Sequence, residues 1–126
     1  MSWLAVALGG AAGACLRYGL WRILTLQAWP LATQLANVGG SLLIGLVFAW
    51  LAPRGGMQHP LYPLLVVGLL GGFTTYSTFS LDALRLLEQG RPGLAAAYII
   101  STLVLCLAGA ALGLWLGRLS GGGGPV

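Results

Sequence analysis

The sequence predicts an all-α membrane protein with four transmembrane helices per chain, and three observations predict it. Of 126 residues, 58% are hydrophobic and only 6% are Asp, Glu, Lys or Arg, whereas soluble domains carry roughly 25% charged residues. Mean hydropathy is +0.90, so the chain lacks the polar surface that keeps a domain dispersed in water. The apolar residues fall into four runs, each close to the about 20 residues that a bilayer-crossing helix needs. The runs and their short turns use up the length, and no soluble domain fits beside them.

The first span covers residues 3–24. Its opening residues lack the basic region of a signal peptide and continue straight into the apolar run, so they belong to a span and not to an export signal. Gly9, Gly13 and Arg17 recur on it at four-residue steps, which places them on one helical face. The second span, 31–51, carries Thr33, Asn37 and Ser41 in the same rhythm, with Gly40 and Gly45 beside them. The fourth, 94–117, carries Tyr98, Thr102 and Cys106 in one row and Gly109, Gly113 and Gly117 in another. The glycine rows predict close helix contacts of the small-xxx-small type.

The third span, 61–87, differs. Its apolar beginning meets GGFTTYSTFS at 71–80, a poor helix interior because glycine and β-branched or hydroxyl residues favour other backbone conformations. A helix broken mid-membrane is expected here, and backbone of that kind is tolerated only where it is buried in protein or lines a wet cavity. Residues 1–118 thus form one four-span domain, followed by a flexible Gly-rich tail at 119–126. Trp3, Trp21, Trp29, Trp50 and Trp115 all fall near span ends, where the indole ring favours the interface with lipid headgroups.

The net charge of +4 would suggest nucleic acid in a soluble protein. Here all six basic residues are arginines, spread singly at 17, 22, 54, 85, 91 and 118, so no phosphate-binding stripe forms and membrane lipid is the partner instead. An even number of spans puts both termini on one side with Arg54 and Arg118, and Arg22, Arg85 and Arg91 on the other. The sides are nearly balanced, so the positive-inside rule sets no firm orientation. A dual-topology antiparallel homodimer is the expectation. Cys15 and Cys106 lie in apolar runs and argue against a disulfide framework or a metal-thiolate site. His59 is the only histidine, and neither a nucleophile and base pair nor metal-ligand spacing supports an enzyme.

The polar residues inside the spans carry the functional signal. A buried Asn37 must satisfy two donors and two acceptors, and Arg17 lies deep enough in its span to be costly and functional, yet close enough to the span end to snorkel to the interface. Asp82 and Arg85, and Arg85 and Glu88, are spaced to pair along a helix. What remains is hydroxyls, an amide, a guanidinium and the positive ring edges of Phe73, Tyr76 and Phe79, a lining suited to a small anion. A proton-coupled exporter of the small multidrug type would need an acid in span one, which is absent. A non-transporting assembly subunit would need the glycine rows but not the donors.

GGAAGACLRY at 9–18, TQLANVGGS at 33–41 and above all GLLGGFTTYSTFS at 68–80 resemble the Fluc (CrcB) fluoride channels of bacteria. The resemblance covers all four spans. It implies an antiparallel homodimer in the bacterial inner membrane, two pores for the passive export of fluoride, and a structural sodium ion at the dimer centre. By that likeness the sodium ligands are the backbone carbonyls of Gly71 and Thr74. The pore residues are Asn37, Tyr76, Phe79, Thr33, Thr75, Tyr98 and Thr102, and Arg17 is the vestibule arginine. Two positions depart from the common pattern: Tyr76 stands where Phe is more frequent, adding a hydroxyl, and Thr102 stands where Ser is more frequent, keeping the donor.

Overall fold

The computed structural model describes residues 2–24 and 28–121. Among them the chain is helical, with four stretches long and apolar enough to cross a membrane: Ser2–Leu24, Leu31–Arg54, Pro63–Glu88 and Pro92–Ser120. Helices α1 (Ser2–Leu24) and α2 (Leu31–Leu51) supply the first two. In the third, Pro63–Leu70 is wound as a π-helix and runs into one α-helical turn, Gly71–Phe73, the two together forming α3. The Gly71 amide reaches back to the Val66 carbonyl, one residue further than in an α-helix.

After Phe73 the winding stops. Thr74 (φ −85°, ψ 156°) and Thr75 (φ −153°, ψ 118°) are extended, and helix resumes as α4, Tyr76–Glu88. The Thr75 side chain caps α4 by accepting the Thr78 amide at 3.2 Å, which satisfies one of the donors that a helix start leaves open. A turn at Gly90 (φ 71°) leads to α5, Pro92–Gly121. Leu119 and Ser120, counted with the Gly-rich tail on sequence, belong to α5; the tail beyond Gly121 lies outside the described residues. The 52–62 connection is a pair of short 3-10 turns, with Gly55 (φ 110°) in the left-handed region between them. There Arg54 lies 4.8 Å over the Trp50 ring and donates to the Trp50 carbonyl at 2.6 Å.

Two helix pairs organise the packing, α1 against α3 and α2 against α5, with α4 resting on α5. Glycine makes both pairs possible. A methyl at Gly9 or Gly13 would run into the Leu64 or Leu69 carbonyl, and one at Gly68 or Gly72 into the backbone of α1. Likewise a methyl at Gly45 would meet the Ala110 carbonyl, and one at Gly113 the Leu42 carbonyl. The predicted glycine rows are therefore contact surfaces, and backbones approach closely enough for dispersion to hold them without a hydrophobic driving force. Gly40 serves another purpose: its missing side chain admits Thr74, bringing the extended segment against α2. The buried centre consists of Phe79, Ala83, Leu86, Ala95 and Tyr98, joining α4 to α5, whereas α1 and the outer face of α5 expose Trp3, Leu4, Leu8, Ile23, Leu107 and Trp115.

Candidate functional site

Asn37 is the hinge of the polar region. Its Oδ1 accepts the Thr75 amide at 2.7 Å and its Nδ2 donates to the Thr75 carbonyl at 2.9 Å. One side chain thus clamps both backbone groups of a residue that has left the helix, where an unpaired buried group would cost about 1–3 kcal/mol. The amide keeps one hydrogen uncommitted, since it has two. The clamp also redirects the ladder. Thr75 N–H, the α-helical partner of the Gly71 carbonyl, goes to Asn37, and Thr78 N–H, the partner of the Thr74 carbonyl, goes to the Thr75 hydroxyl. The Thr74 hydroxyl turns back to the Leu70 carbonyl at 2.9 Å.

Around this clamp lies an open crevice of about 270 Å³ between α2, α4 and α5. Five of the seven pore candidates line it: Asn37, Thr75, Tyr76, Phe79 and Thr102, together with Thr74, Ser41 and Cys106. The rings form a run, with Tyr76 5.6 Å from Phe79, Phe79 5.3 Å from Tyr98 and Trp29 set edge-on to Tyr98 at 5.6 Å. Tyr76 is 76% exposed at the crevice mouth and Phe79 6%.

The structure places Arg17 and Thr33 elsewhere. They line a neighbouring cavity of about 410 Å³ with Thr75 and Thr78, so Thr75 is common to both spaces. Arg17 is half-buried and donates from Nε to the Gly72 carbonyl at 3.2 Å, another ladder acceptor near the extended segment. Tyr98 is fully buried and lines neither space.

Asp82 corrects the sequence-based pairing. It turns inward, accepting from the Thr33 hydroxyl at 2.7 Å and the Tyr98 hydroxyl at 3.5 Å; no ion pair joins it to Arg85 among the described residues. Two hydroxyls counted as donors for an ion are therefore spent on a carboxylate. Gln34 was missed altogether. It is 9% exposed, accepts from the Trp29 indole at 2.6 Å and donates to Ser101 at 2.9 Å and Thr102 at 3.3 Å. The signal that singled out Asn37, an amide inside an apolar span, applied equally to Gln34. Among the described residues no buried side-chain nitrogen or oxygen lacks a partner, so the polar region is internally consistent.

Four helices apolar enough to cross a membrane, packed around a crevice lined by neutral donors and ring edges, define a multi-pass membrane protein. The chain belongs to the CrcB family: the family model described as "CrcB-like protein, Camphor Resistance (CrcB)" matches residues 4–114. It is 47% identical over 120 residues to the fluoride-specific ion channel FluC of Paracoccus denitrificans, covering 93% of this chain and 94% of the relative. It is 42% identical over 118 residues to FluC of Aeromonas salmonicida, covering 91% and 94%, and 47% identical over 117 residues to FluC of Cereibacter sphaeroides, covering 90% and 91%. The protein is a multi-pass bacterial membrane protein and not an enzyme.

Proposed function

We propose that this chain is a fluoride-selective channel that lets cytoplasmic fluoride leave the cell down its electrochemical gradient, as an antiparallel homodimer with two pores. The observation that carries the reading is the 270 Å³ crevice, lined by uncharged donors, in a chain whose relatives are named fluoride-specific channels. Fluoride is small and strongly hydrated, so a site that admits it must replace water with hydrogen-bond donors. The spare Asn37 hydrogen, the Thr102 hydroxyl and the ring edges of Phe79 and Tyr76 supply them. Arg17, in the adjoining cavity, attracts the anion from the aqueous side through Thr75. Thr33 and Tyr98 serve the ion only by letting go of Asp82. Binding is thereby divided among weak sites, which conduction requires.

The dimer follows from economy of material. One chain leaves its crevice open and its α1 face apolar and exposed, so a second copy is needed to close the pathway from lipid. A structural sodium ion at the dimer centre fits the donor set: the Gly71 and Thr74 carbonyls have lost their α-helical donors to Asn37 and Thr75, and neutral carbonyl oxygens suit an alkali cation. Bound there, the ion would supply positive charge that holds the extended segments of two subunits together. Fluoride efflux from liposomes containing purified protein, measured by electrode beside chloride, tests the reading; equal rates for the two anions, or none, would contradict it.

A further inference from the structure

The orientation of the Thr102 hydroxyl is set from outside the crevice. The Trp29 indole can only donate, so the group it meets at 2.6 Å is the Gln34 oxygen. The Gln34 amide nitrogen therefore faces α5, where its two hydrogens go to Ser101 at 2.9 Å and Thr102 at 3.3 Å. Ser101 passes its own proton to the Tyr98 carbonyl at 3.3 Å. Thr102, 3% exposed and lining the crevice, makes no second hydrogen bond among the described residues. With its oxygen accepting from Gln34, its hydrogen is left for the crevice.

From this we infer that Gln34 is a positioning residue for the anion pathway: held by Trp29, it makes Thr102 a donor toward the ion. The inference rests on the channel reading above. Without Gln34 the Thr102 hydroxyl is free to bond back to a carbonyl of its own helix, the usual resort of a threonine in a span, and the ion loses a donor. Gln34 itself never touches the ion. Its effect passes through one oxygen, which gives it a signature that a merely structural residue lacks.

The test is a double-mutant cycle read by fluoride efflux from liposomes. Thr102→Val, which removes the donor, lowers the rate about tenfold, the equivalent of one lost hydrogen bond to a charged group. Gln34→Met lowers it by a smaller factor, roughly three- to fivefold, because the hydroxyl survives but is no longer directed. Gln34→Met in the Thr102→Val background changes nothing further. Trp29→Phe, which keeps an aromatic edge against Tyr98 but frees the amide to flip, gives a loss no greater than Gln34→Met that also vanishes in Thr102→Val. Should Gln34→Met not elute as a folded species in detergent, Trp29→Phe carries the cycle alone. Multiplying losses in the double variants, or unchanged efflux in both Gln34→Met and Trp29→Phe, would overturn the assignment. Wild-type liposomes that pass no fluoride would instead overturn the channel reading on which it rests.

Discussion

Asn37 shows how much one side chain carries in this structure. Its two bonds to Thr75 hold the extended segment, and it lines the crevice with one amide hydrogen uncommitted, so the proposed transport role and stability are separable by choice of substitution. Asn37→Ala abandons both Thr75 groups and is expected to destabilise the protein by about 2–4 kcal/mol, seen as a lower thermal midpoint in detergent. Asn37→Asp keeps the acceptor for the Thr75 amide but sets a carboxylate against the Thr75 carbonyl and an anion in the pathway. It should reduce fluoride efflux by about a hundredfold or more while lowering the midpoint less than Asn37→Ala does. A variant that lost stability and kept full efflux would remove Asn37 from the pathway. Phe79→Ile offers a complementary probe, since it keeps a large apolar group among Tyr76 and Tyr98 and removes the ring edge. Efflux should vanish while the protein elutes unchanged.

At the scale of elements, the helix pairs are predicted to tolerate change very unevenly. Gly113 of α5 faces the Leu42 backbone of α2, whereas Gly39 of α2 meets nothing. Gly113→Val should therefore cost about 3 kcal/mol or more through forced separation of the pair, and Gly39→Ala should leave the thermal midpoint within a degree or two of wild type. Similar midpoints for the two would mean that α2 and α5 do not pack as described. These contacts were legible in the sequence because glycine repeated at helical spacing in an apolar span weakens the helix unless a second backbone comes close to it. The four spans were legible from hydropathy, and the CrcB family from three short motifs. What escaped was the direction of side chains. Asp82 has a charged neighbour along its own helix at Arg85, and local spacing favours that pair; the fold instead brings Thr33 and Tyr98 to it from two other helices. Gln34 lies about 100° around α2 from Thr33, off the row that drew attention, on the side that meets α5. The π-winding of Pro63–Leu70 has no counterpart in composition.

The whole molecule is short, apolar and open on one side, and its behaviour as an assembly follows from those properties. Near balance of the loop arginines, with Arg54 and Arg118 on one side and Arg22, Arg85 and Arg91 on the other, predicts insertion in both directions. Single cysteines introduced at Gln58 and Glu88 in a background without Cys15 and Cys106 should each react with an impermeant maleimide in about half of the copies in intact cells; full labelling at one and none at the other would show a single orientation. At the centre stands the proposal that the crevice lined by Asn37 and Phe79 passes fluoride. It is tested most directly by electrode measurement of anion efflux from proteoliposomes holding wild-type protein or Phe79→Ile. Wild type should release fluoride rapidly with no comparable chloride release, and Phe79→Ile should release none; undiminished fluoride release from that variant, or chloride release to match fluoride in wild type, would contradict the pore assignment.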